Sequence, residues 1–169
     1  MWGAWRRLGG SERGAVAPTV ALSLFALIAA GGLAFDYARM AALDTELQNA
    51  ADQAALAAAT QLDQQAGAVQ RATAAAQALI ANQTLFANDG NASNRAVTVP
   101  TVMFYETRAD AEDNTNGFTD ITRFADARFV RVAVAARQAN FALTPIVGAI
   151  TSGNINAEAV AGLGSAVCK

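Results

Sequence analysis

The chain has no histidine, one cysteine (Cys168), one lysine (Lys169) and three prolines in 169 residues. Each shortage removes a class of explanation. Without imidazole, the usual zinc ligand and the usual proton carrier near neutral pH are both missing. A lone thiol forms no internal disulfide, so no bridge framework holds the chain together in an oxidising compartment. The net charge is −2, and there is no basic surplus to neutralise a nucleic-acid backbone. No Gly-rich phosphate loop or nucleophile motif occurs, and the carboxylates show no spacing that singles out an acid–base pair. The expectation is a protein without catalysis, cofactor, metal, nucleic acid or small-molecule substrate.

The most informative absence is local. Residues 14–35, GAVAPTVALSLFALIAAGGLAF, contain no charged side chain. At about 1.5 Å per residue this run reaches roughly 33 Å, enough to cross a bilayer core of about 30 Å. Arg6, Arg7 and Arg13 precede it and Asp36 closes it. The positive-inside rule then predicts a cytoplasmic tail over 1–13 and an exported part over 36–169. Charge divides the same way: residues 1–13 sum to +2 and the remainder to −4. A cleaved signal peptide is the alternative, with AAGGLA offering small residues to a peptidase. The run is longer than an h-region of about 7–15 residues, which favours a retained anchor. Trp2 and Trp5 suit the headgroup level.

Ala26, Ala30, Ala34, Ala38 and Ala42 recur every fourth residue, a spacing that lets a second helix approach closely in lipid. Helical propensity continues from Asp36 to about Leu62, with no Gly or Pro. Met40, Leu43, Leu47, Ala50, Ala54 and Ala57 make one apolar stripe. Asp44, Gln48, Asn49 and Asp52 lie off it, on a solvated face. A single helix is marginal in water, so the stripe needs cover from the chain's own sheet or from a partner's helix. After a joint at 63–67, a second helix is predicted over 67–86, ending before the turn-rich NDGNASN.

The period then shortens, and a small sheet is expected over about 96–165. Residues 97–105 alternate as a strand, with Pro100 at an edge or bulge. Phe129–Ala136 is the clearest strand, placing Val130, Val132 and Val134 on one face and Arg131 on the other. Thr144 and Pro145 read as the cap and first residue of a short helix to Ile150. Residues 152–154 read as a turn, and Ile155, Ala157, Ala159 and Ala161 as a last alternating segment. The fold class is α+β: a long N-terminal helix, transmembrane then extracytoplasmic, a second helix, then a small, mostly antiparallel sheet with a short helix. Glu112, Asn114, Asn116, Gly117 and Asp120 imitate a calcium loop, but Arg123 stands where a bidentate Glu is required. A polar loop over 106–127, of the kind that carries recognition, explains them instead. The sequons at Asn82 and Asn91 matter only where a glycosylation system exists.

Residues 13–59 resemble the TadE/TadG-like family of Tad (Flp) pilus-assembly proteins. The resemblance rests on Arg13-Gly14, the Gly-Leu-Ala-x-Asp-Tyr exit at Gly32–Tyr37, and the Leu-Gln-Asn-Ala-Ala-Asp run from Leu47, with Asp36, Tyr37, Gln48, Asn49 and Asp52 as its polar positions. NGFTD, ARFVRVAV and NINAEAVAG are similar to the extracytoplasmic region of TadG-type members. The resemblance implies a pilin-like plan and a single-pass inner-membrane protein, with its N-terminus cytoplasmic and its C-terminal domain periplasmic. It also implies a non-enzymatic role in tight adherence, in which the Asp36–Leu62 extension of the helix docks with other pilus-assembly or pseudopilin-like partners. A processed pilin-like member has Glu at the fifth position after the cleaved Gly; counted from Gly14, that position is Thr19. A TadG-type member is therefore expected over a TadE-type one. The ending at Val167-Cys168-Lys169 suggests a truncated sequence or a short member. The alternative function is a membrane-tethered or secreted adhesion or ligand-binding module.

Overall fold

The computed structural model describes residues 16–78, 83–90, 96–99, 101–147 and 152–163. Arg6, Arg7, Arg13, Trp2, Trp5, Cys168 and the sequon residues Asn82 and Asn91 lie outside them, as do Pro100 and the expected helix end at Ile150. The order is α1 (Val16–Ala59), α2 (Ala68–Ala78), β1 (Thr101–Tyr105), α3 (Arg108–Asp113), β2 (Phe129–Ala133), β3 (Arg137–Asn140), β4 (Ser152–Ile155) and β5 (Glu158–Gly162). Helices lead and antiparallel strands follow, so the α+β plan expected from the sequence is the one observed. The chain divides into two units: Met1–Ala38 with Phe141–Thr151, and Arg39–Asn140 with Ser152–Lys169.

In the larger unit, Leu43, Leu47, Ala50, Ala54 and Ala58 of α1 are buried in one apolar cluster. They share it with Val69, Ala72 and Ala76 of α2 and with Phe104, Val130 and Val132 of the sheet. The heavy use of Ala follows from this arrangement, because small side chains let backbones pack closely without voids. The chain's own domain thus covers the stripe for which the sequence left two candidates.

The strands form two sheets in place of the single one expected. One has the order β1-β2-β5 and the other pairs β3 with β4. In the first, Val130 and Val132 point into the core and Arg131 away from it, as the alternation predicts. Phe129 stands opposite Gly162. A Cβ on Gly162 would lie 2.4 Å from the Phe129 ring, so only glycine fits beneath it.

Four boundaries differ from expectation. Residues 83–86, expected in the second helix, are not helical: Gln83 bridges Ala96, and the amides of Leu85 and Phe86 donate to the Glu46 carboxylate. Arg39 also donates to the Phe86 carbonyl, so tertiary hydrogen bonds take this segment from the helix. Residues 97–99 lie outside β1, although Val97 and Val99 are buried. Ser152–Asn154, expected as a turn, belong to β4, where Asn154 pairs with Gln138 and Ser152 with Asn140. The polar stretch 106–127 contains α3 and a 3-10 turn, Ile121–Arg123.

Two polar staples hold β3. Arg137 grips Asp89 through Nε–Oδ2 at 2.6 Å and Nη2–Oδ1 at 3.2 Å, largely out of solvent. Asn88 and Asn140 bond each other's backbone, the Asn140 amide donating to Asn88 Oδ1 at 2.6 Å.

Candidate functional site

The candidate site is α1 with its exit from the uncharged run. Over residues 16–35 the helix is apolar on every side. Val20, Leu24, Leu27, Ile28, Leu33 and Phe35 are all exposed. A helix that is hydrophobic all round belongs in a protein core or in lipid. This one is long and apolar enough to cross a membrane, and only 6 % of its most apolar window is buried. That fits a membrane-anchored protein.

The residues singled out in the sequence fall into two groups. Ala26, Ala30, Ala34 and Ala38 are exposed and Ala42 is half-buried, whereas Leu43, Leu47, Ala50 and Ala54 are buried. Tyr37, Asn49 and Asp52 are exposed. Gln48, also at the surface, donates to Asp52 Oδ1 at 3.0 Å and to the Glu158 carbonyl at 3.2 Å, joining α1 to the start of β5.

Asp36 is different in kind. Its side chain is buried and accepts four hydrogen bonds from one short segment. Oδ1 takes the Ala142 amide at 3.0 Å; Oδ2 takes the amides of Leu143 at 2.9 Å and Thr144 at 2.7 Å, and the Thr144 hydroxyl at 2.8 Å. The 3-10 turn Thr144–Val147 follows. Thr144 was expected to cap a helix; its hydroxyl is spent on Asp36, and the remote carboxylate supplies the acceptor for the turn's leading amides. Seclusion from water raises the Asp36 pKa, but the backbone amides and the hydroxyl outweigh it and hold the group at about 2. Gly32, one turn earlier, makes room for the same segment: a Cβ there would lie 2.7 Å from Leu143 Cβ. Reading Asp36 only as the end of an apolar run missed this role, since Asp36 and Thr144 are 108 positions apart.

The residues of the imitation calcium loop have other partners. Glu112 lies on α3 and pairs with Arg108. Asn114 ends that helix in the left-handed region at φ 53°. Asp110 accepts from Asn116 Nδ2 at 2.8 Å and from Thr115 Oγ1 at 3.2 Å. Hydrogen bonds from Thr107 first, then from Asn116 and Thr115, keep its carboxyl below the ordinary range. Gly117 is required by packing, since a Cβ would come within 2.8 Å of the Tyr105 ring. Phe118 pairs with Phe104 through two backbone bonds of 2.9 Å, and the Arg123 guanidinium lies 3.9 Å from the Phe118 ring centre. Among the described residues, no group of three or more His, Cys, Asp or Glu is placed to hold a metal.

Fold and site together describe an α+β protein with one helix able to enter a bilayer and a domain packed on the continuation of that helix. Residues 14–61 match the family model described as Tad, putative Flp pilus-assembly TadE/G-like. The match covers α1 and its immediate flanks. It supports that family and a role in pilus assembly. No curated protein and no solved structure matches the chain.

Proposed function

We propose that this protein is a non-enzymatic component of a Tad/Flp-type pilus-assembly apparatus, of the TadG type, held in the bacterial inner membrane by residues 14–35. The tail bearing Arg6, Arg7 and Arg13 stays cytoplasmic and the domain from Asp36 onward is periplasmic. It acts by docking helix against helix with pseudopilin-like partners. One observation carries the reading: the family match at 14–61 coincides with a helix whose first half exposes an uncovered row of Ala at four-residue spacing. In lipid, such a row favours close helix association. The buried Leu43, Leu47, Ala50 and Ala54 are already engaged in the domain's own core, so docking is assigned to Ala26, Ala30, Ala34 and Ala38.

Single cysteines at those four positions, in a Cys168→Ser background and in cells carrying the apparatus, test the proposal. Crosslinking is expected to join at least one of them to an inner-membrane pilus subunit, identified by mass spectrometry. Ala50→Cys and Ala54→Cys should give no adduct. Failure at all four positions, or adducts only at the two buried ones, rejects helix docking.

A further inference from the structure

The connection between β3 and β4 returns to the last turn of the uncharged run. Leu143 lies against Gly32 with no room for a methyl group between them. Gly32 precedes Phe35 by about 5 Å of helix axis, so Leu143 is level with the end of the apolar span and not beyond it. Residues 138–157 contain no charged side chain. The Ala142 and Leu143 side chains are exposed, and Phe141 is half-exposed. Non-helical backbone at this depth is costly unless the protein itself satisfies its polar groups. Here the amides of Ala142, Leu143 and Thr144 all end on Asp36.

We propose that residues 141–144 form a second membrane contact, in which Ala142 and Leu143 sit in the boundary between headgroups and acyl chains beside the helix and the Asp36 carboxylate satisfies the amides that lipid cannot. The partner is the lipid surface itself. What selects it over a protein is continuity with the apolar helix surface around Leu33 and Phe35, which is exposed at the same level. The inference rests on the reading that residues 14–35 cross the bilayer.

Spin labels on single cysteines test it in the full chain carrying Cys168→Ser, reconstituted into liposomes of phosphatidylethanolamine and phosphatidylglycerol. Labels go at Leu27 in the span, at Gln70 on the exposed face of α2, and at Ala142 and Leu143. The Ala142 label leaves the packing of Leu143 on Gly32 intact, so a disturbed Leu143 variant does not end the test. The readout is collision with dissolved oxygen relative to a water-soluble nickel chelate. At Ala142 the ratio is expected to exceed that at Gln70 several-fold and to approach that at Leu27. A Gln70-like ratio at Ala142 and Leu143, with Leu27 in lipid, overturns the proposal and leaves the anchor standing. Shielding from both reagents at these two positions also overturns it, because protein then covers the segment. A water-like ratio at Leu27 as well means that the anchor reading has failed, and the second contact with it.

Discussion

Leu27 and Leu47 are the same residue type on the same helix, yet Leu27 is 70 % exposed and Leu47 is fully buried. Before Asp36 the helix turns its large apolar side chains outward on every side, apart from the turn at Gly32 that Leu143 covers. After it, apolar residues narrow to one stripe, and Asp44, Gln48, Asn49 and Asp52 take the remaining face. Backbone hydrogen bonding is the same throughout; what changes is the solvent that the side chains are chosen for. The comparison teaches that one helix can carry two contracts, with a single buried carboxylate at the boundary.

The largest effect expected from breaking this comparison is at Leu47. Leu47→Ala deletes side-chain volume from a closed core and should cost about 3–5 kcal/mol, read as a lower denaturation midpoint of the detergent-solubilised protein. Leu27→Arg attacks the other half. It should leave the domain's unfolding unchanged while weakening insertion by about 3 kcal/mol, the usual cost of Arg at mid-span, and alkaline extraction of membranes should release more of the variant. Gly117→Ala is next: the new methyl meets the Tyr105 ring, and overpacking of this kind costs about 1–3 kcal/mol. Calorimetry on the same preparation would read it.

A local effect of pH follows at the boundary. Asp36 is held at about 2 against its ordinary 3.8, so folding favours its ionised form. That contribution is fully present above the ordinary value and is lost as pH falls through about 2. The amides of residues 142–144 should therefore exchange hydrogen faster in acid, relative to their intrinsic rates, while those of β2 keep their protection; equal behaviour of the two segments would deny Asp36 its role. The smallest expected effect is Leu27→Ala, which should change domain stability by less than about 0.5 kcal/mol. A cost as large as that at Leu47 would erase the distinction between the halves.

Much of α1 was legible because it is written in local terms: a run without charge, then a stripe at three- and four-residue spacing. The clearest strand was legible through Val130, Val132 and Val134. Elsewhere the deciding partners are far apart in sequence. Helical propensity carried the second helix to Phe86, but Glu46 and Arg39, some forty positions earlier or more, hold residues 85–86 in another conformation. β3 escaped notice because a buried Arg interrupts its pattern, and Arg137 is tolerable there only with Asp89 beside it. At the candidate site, composition gave the span and the family pattern gave Asp36 and Tyr37 as notable residues. Neither showed that Asp36 is an acceptor for three amides, since nothing near it in the chain needs one.

That long separation imposes an order of events. On the proposed topology, with the amino-terminal tail held in the cytoplasm, Asp36 leaves the membrane more than a hundred residues before Thr144 follows to meet it. Until then, on that topology, the carboxylate lacks the amides that it accepts from in the folded chain, and the last turn of the helix lacks the segment that packs on Gly32. On that topology the contact between Asp36 and residues 142–144 is a late acquisition, completed only near the end of export.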